Sequence, residues 1–272
     1  MSSMLKLLTV TVLLSSISLS ANSLKERILE FEKGSIDPRI SIDSMEIAHE
    51  VAITDGWKGY VVDLTISMQG ETREVKDVLF TDGSVVTREL MNLDSGESYN
   101  AMMEELTYPK LDSRYFDEKF LIAGSSDAKN TIAVFSNPGC PHCVRLMPGL
   151  IEQVNGSSDV ALYYFTSPSA LSLAMAAAKT QGVEDVEKRV YSALLDDQSL
   201  AQKASDVPAA IEVVNDILGS SVKESDFGSS KVREAMDAQM KLSQEAGIKA
   251  TPTIFVNGEV DKSRQKMQEL LN

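Results

Sequence analysis

Thr131-Ile132-Ala133-Val134-Phe135-Ser136-Asn137-Pro138-Gly139-Cys140-Pro141-His142-Cys143-Val144 is the stretch on which the reading of this chain turns. The run from Thr131 to Ser136 is apolar and of strand length. Pro138 and Gly139 break it, and a helical pattern follows the two cysteines. A strand, a tight loop and a helix put Cys140 at a helix N-terminus, where unpaired N–H groups and the helix dipole favour negative charge. The thiolate is the attacking species in disulfide exchange, so Cys140 is expected to be a nucleophile ionised at neutral pH. Cys143 falls one turn further along the same helical face, within reach of a mixed disulfide on Cys140, and reads as the resolving thiol. His142 lies between them, and its imidazole or its dipole is expected to favour the thiolate further. Stabilising that thiolate stabilises the reduced pair and makes the disulfide the stronger oxidant.

The chain has only these 2 cysteines. A pair so close in sequence closes almost no loop, so it contributes little as a structural staple. Two cysteines and one histidine also fall short of the four ligands of structural zinc, which usually come from two separated pairs. Haem attachment requires a histidine directly after the second cysteine, where Val144 stands. No metal and no added cofactor is expected; the Cys140–Cys143 disulfide would itself be the redox group.

Composition narrows the class. The 272 residues carry 26 basic against 40 acidic side chains, a net charge of -14, which opposes binding to a phosphate backbone. Length favours two domains. Lys6, the apolar stretch Leu7 to Leu14 and the small-x-small sequence Ser18-Leu19-Ser20 read as a secretory signal over residues 1–20, cleaved near Ser20. The mature chain, from about Ala21, is then expected outside the cytoplasm.

Along the mature chain, Ser23-Leu24-Lys25-Glu26 has the form of a capping box, followed by Leu24, Ile28 and Phe31 on one helical face. Met45, Ile47, Val51 and Ile53 alternate, as do Tyr60, Val62, Leu64, Ile66 and Met68, so both stretches read as strands with one buried face. Val75 to Phe80 and Val85 to Arg88 flank the turn Thr81-Asp82-Gly83 and complete a small antiparallel sheet. His49 lies in phase with the apolar face and is expected to be a half-buried or rim histidine rather than a ligand. A short helix over Tyr99 to Leu106 leads to Pro109, near which the domain boundary is placed. Beyond it, Asp159 to Phe165 reads as a strand and Ser169 to Ala246 as mostly helical, with Met236 and Met240 expected in the core. Thr253 to Val256 reads as a strand, Asn257-Gly258 as a tight turn and Lys262 to Leu271 as a closing helix.

These residues resemble the bacterial periplasmic Dsb proteins. The resemblance rests on the strand Thr131 to Ser136, on Cys140-Pro141-His142-Cys143 and on Ile248-Lys249-Ala250-Thr251-Pro252-Thr253. It implies a thioredoxin fold over about Asp112 to Asn272, with Pro252 cis beside the cysteines and Thr251 pairing its backbone with substrate. Pro141-His142 is similar to the oxidase DsbA. Thr251 before the proline is similar to the dimeric DsbC and DsbG, as is Val75-Lys76-Asp77-Val78-Leu79-Phe80-Thr81-Asp82-Gly83 to their dimerisation domain. The combination resembles the dimeric oxidases of the Helicobacter and Campylobacter group.

The implied architecture is α+β: a cystatin-like dimerisation domain over residues 21–98, a linker helix over 99–112 and a thioredoxin-fold domain with a helical insertion over 113–272. The implied protein is a periplasmic homodimer that donates disulfides to unfolded or reduced exported proteins and is recharged by a membrane oxidase of the DsbB type. Two other readings stay open: an isomerase kept reduced by a DsbD-type partner, and a cleft-based chaperone whose thiols are secondary.

Overall fold

In a computed structural model, residues 23–96 and 98–272 are described; the expected signal segment lies outside them. The chain divides into two compact units between Val86 and Thr87.

The first unit opens with helix α1 (Leu24–Ser35), held by a complete capping box in which Ser23 and Glu26 satisfy each other's backbone N–H groups. Strands β1 (Ser41–Thr54), β2 (Trp57–Met68), β3 (Glu71–Thr81) and β4 (Val86–Thr87) form a sheet in that order, with β1–β2 and β2–β3 antiparallel. Ile28, Ile42, Met45, Tyr60, Val62, Leu64 and Leu79 make its core. In β1, Met45 is buried and Ile47, Val51 and Ile53 are half-buried, as the alternation predicts; the register shifts between Ile47 and His49, and His49 lies exposed. The fourth strand is 2 residues long, shorter than the stretch Val85 to Arg88 expected for it.

The second unit contains the helix expected as a linker, α2 (Tyr99–Glu105). Its Glu105 carboxylate accepts the Lys262 backbone N–H at 3.0 Å, Glu104 pairs with the Lys262 ammonium, and Met103 is fully buried. These contacts place α2 in the body of the second unit, so the division falls well before residues 99–112.

Beyond it come β5 (Leu121–Gly124), β6 (Asn130–Ser136), α3 (Pro141–Asn155) and β7 (Val160–Thr166). The helical insertion follows as α4 (Ala170–Thr180), α5 (Val186–Asp196), α6 (Ser199–Lys203), α7 (Val207–Leu218), α8 (Glu224–Phe227) and α9 (Ser230–Glu245). The chain ends in β8 (Thr253–Val256), β9 (Glu259–Val260) and α10 (Gln265–Leu271). The sheet order is β5-β7-β6-β8-β9, with β6 and β7 parallel and the other pairs antiparallel.

Both faces of this sheet are covered, which is why β6 and β7 read as continuous apolar runs rather than alternations. Ile132, Val134, Leu162 and Tyr164 face a core completed by α3, α4, α5 and α7. Their neighbours Ala133, Phe135, Tyr163 and Phe165 face a second core with Tyr115, Phe120 and Leu242. Strands β5 and β9 are not foreseen from sequence: β5 buries only Ala123 where the equally short β8 is buried throughout, and β9 is 2 residues long. The closing helix starts at Gln265 rather than Lys262, because Asp261 accepts the Met267 N–H at 2.8 Å and Arg264 turns through φ 63°.

Candidate active site

The site is built where β6 runs into α3. Asn137 shapes the connection: its side-chain oxygen accepts the Gly139 N–H at 2.8 Å and its carbonyl accepts the Cys140 N–H at 2.9 Å. This is the Asx-turn geometry that Asn-Pro-Gly favours, so Asn137 belongs to the turn signal with Pro138 and Gly139. Cys140 takes the N-cap position of α3, and Pro141 occupies the first turn, where its missing N–H leaves no helical bond unmade. Val144, Met147, Leu150, Ile151 and Val154 anchor α3 in the core, so the cysteine end of the helix is held rigidly.

Cys140 is partly exposed and Cys143 is fully buried; both are free thiols. Cys143 Sγ accepts the Asn137 N–H at 3.4 Å, and the neighbouring Ser136 hydroxyl favours its thiolate. Burial raises the Cys140 pKa, but the backbone N–H and thiol of Cys143, the Thr251 side chain and the His142 N–H outweigh it and hold the thiol below its usual range. Burial dominates at Cys143 and pushes its thiol up. The two thiols thus differ in the sense exchange requires: an exposed group biased towards thiolate and a buried one biased towards thiol.

His142 acts here through its backbone N–H. Its ring is exposed and bonds Arg145 through Nδ1 at 3.0 Å, a partner not foreseen from sequence. Pro141 is exposed beside it. Facing Cys140, 111 residues later, is Thr251, whose carbonyl accepts from the Cys140 sulfur at 3.4 Å. The Thr251–Pro252 peptide is cis and leads directly into β8.

A cleft of about 330 Å³ runs alongside, lined among others by Asn137, Ser167, Met240, Ile248 and Thr251. Met236 is 4% exposed and belongs to the core as expected, but Met240 is 39% exposed and forms part of this cleft. One turn along α9 separates an inward position from a rim position, a distinction that spacing within one helix does not carry.

The family model described as Thioredoxin matches residues 116–272. No curated protein matches the sequence. Among solved structures, the chain is similar to the thiol-disulfide exchange protein α-DsbA2 from Wolbachia pipientis at 17% identity, covering 63% of this chain and 96% of that one with a TM-score of 0.43. It is similar to ScsC from Proteus mirabilis at 19% identity, covering 58% of this chain and 76% of that one with a TM-score of 0.40.

Proposed function

The chain belongs to the thioredoxin family, and from that premise we propose that it is a periplasmic thiol-disulfide oxidoreductase that introduces disulfides into exported proteins through Cys140 and Cys143. The observation that carries the reading is the Cys140 thiol at the head of α3, partly exposed and held below the usual thiol range, over a buried partner held above it.

The chemistry follows from that asymmetry. In the oxidised protein, a substrate thiolate attacks Cys140 Sγ; the Cys140–Cys143 bond breaks, and Cys143 leaves with the electron pair and takes up a proton. A second substrate thiolate attacks the substrate sulfur of the mixed disulfide, and Cys140 leaves as a thiolate. Two electrons pass from substrate to protein, and a substrate disulfide forms. Cys140 is a good leaving group because its thiolate is stabilised, which favours the donating direction. Thr251 and Pro252 line the approach to the sulfur, where the Thr251 backbone would pair with an extended substrate segment.

In this reading residues 1–20 direct export, a DsbB-type membrane oxidase restores the disulfide, and the first unit joins two protomers. Strand β1, 14 residues long at the edge of its sheet, supports the last point, since such an edge is a template for pairing with a second chain.

The test is alkylation trapping of the redox state in the native cells. A mainly oxidised pair supports the disulfide donor. A mainly reduced pair overturns it in favour of an isomerase kept reduced by a DsbD-type partner.

A further inference from the structure

Cys143 must lose or gain a proton at each exchange, yet it is fully buried. The groups that act on it are Ser136, Asn137, Thr251 and Cys140, none of them a carboxylate. Behind it lies a row of hydroxyls that the exchange scheme does not use. Ser136, at the end of β6, acts to favour the Cys143 thiolate, and the N–H of the next residue, Asn137, donates to Cys143 Sγ at 3.4 Å. Its Oγ is 2.7 Å from the Tyr191 hydroxyl on α5, which is 3.2 Å from the Tyr164 hydroxyl on β7. Tyr164 shares a cavity wall with Thr166. Ser136, Tyr191 and Tyr164 are 1%, 0% and 4% exposed.

Each hydroxyl can donate and accept at once, so the row is continuous. It ends at a cavity of about 470 Å³ whose wall includes Tyr164 and Thr166 together with Lys179 and Lys231, both exposed. A buried thiol is thereby connected through the core to the surface. Packing alone does not call for this, since apolar groups of the same shape in place of mutually bonded hydroxyls are close to neutral for stability. Burial pushes the pKa of both tyrosines up, so each stays neutral and retains the proton a relay hands on. The charged groups at the cavity end are Lys179 on α4, paired at 2.8 Å with Glu187 on α5, with Lys231 and Glu234 on α9 and Lys119 before β5.

We propose that the hydroxyls of Ser136, Tyr191 and Tyr164 relay protons between Cys143 and the solvent of this cavity. The proposal rests on the exchange reaction assigned to Cys140 and Cys143 above. When Cys143 resolves a mixed disulfide, its proton passes to Ser136 as the Ser136 proton passes to Tyr191, the Tyr191 proton to Tyr164, and the Tyr164 proton to solvent. Every hydroxyl ends with one proton. The Cys143 thiolate attacks Cys140 Sγ, the bond from Cys140 to the substrate sulfur breaks, and the substrate leaves as a thiolate; the protein pair is oxidised and the substrate reduced. Disulfide donation runs the same transfers backwards. The tyrosines are positioning residues that act through Ser136.

Ellman's reagent separates the steps in the reduced full chain by stopped flow. Attack by Cys140 releases one thionitrobenzoate, and attack by Cys143 on the mixed disulfide releases the second. With Tyr191→Phe, the first release should keep the parent rate, while the second slows about tenfold near neutral pH and its pH midpoint moves upward. Tyr115→Phe, which removes a buried hydroxyl donating to the Leu242 carbonyl at 3.0 Å outside the row, should change neither step. In mixed light and heavy water, the parent's second release should show a curved dependence on deuterium fraction, as several protons move together. A second step in Tyr191→Phe with the parent rate and pH profile overturns the relay. So does a parent second step without a solvent isotope effect, a measurement that stands even if the variant does not fold. A parent that releases only one thionitrobenzoate overturns the exchange reading itself.

Discussion

The sulfur of Cys140 lies 3.4 Å from the carbonyl oxygen of Thr251, so the head of α3 and the entry to β8 meet at one atom. Strand β6 is the reason: it carries α3 at its end and pairs antiparallel with β8, from Ile132 opposite Val256 to Phe135 opposite Thr253. In the proposed exchange, a substrate sulfur at Cys140 would also meet the backbone at Thr251.

Loss of either thiol should have a distinct outcome. Cys140→Ser should abolish exchange with a reduced protein substrate. Cys143→Ser should retain attack at Cys140 but lose resolution, so that mixed disulfides accumulate and appear as shifted bands on non-reducing gels that collapse on reduction.

The unequal thiols predict a pH profile. Iodoacetamide should modify Cys140 with a midpoint at lower pH than a free cysteine, while native Cys143 resists modification because it is buried and its thiol is held neutral. The stability of the reduced protein carries the same sign. The folded Cys140 pKa is below its unfolded value, so its contribution is present above the unfolded pKa and fades as pH falls through the folded one. Cys140→Ser should remove that slope from denaturant midpoints measured across pH.

Gly124 is a stability probe remote from the chemistry. It sits at φ 79°, and a Cβ there would lie 2.1 Å from the Val160 carbonyl oxygen on the paired strand β7. Gly124→Ala should cost about 3 kcal/mol or more, combining left-handed strain with a clash against backbone. Denaturant unfolding followed by circular dichroism measures the loss.

The first unit offers a milder probe. Ser23→Ala removes the side-chain acceptor for the Glu26 N–H from the capping box of α1. It should destabilise that unit by about 1 kcal/mol. Exchange by Cys140 should keep its parent rate.

Features that depend only on neighbours along the chain are legible in the sequence. Cys140 and Cys143 are one helical turn apart whatever the rest does, Pro138 and Gly139 end β6, and the period in Tyr60 to Met68 marks a strand with one buried face. Thr251 and Pro252 were legible only through resemblance, since a single Thr-Pro carries no local sign of a distant thiol. Strand β9, at 2 residues, is too short to display a period. Contacts between elements settle that Met240 lines a cleft while Met236 fills the core, and that Ser136, Tyr164 and Tyr191 align behind Cys143. Those outcomes arise from pairing and packing between elements distant in the chain, as with Ser136 and Tyr191, 55 residues apart, where burial and hydrogen-bond distance are set by the partner rather than by the residue.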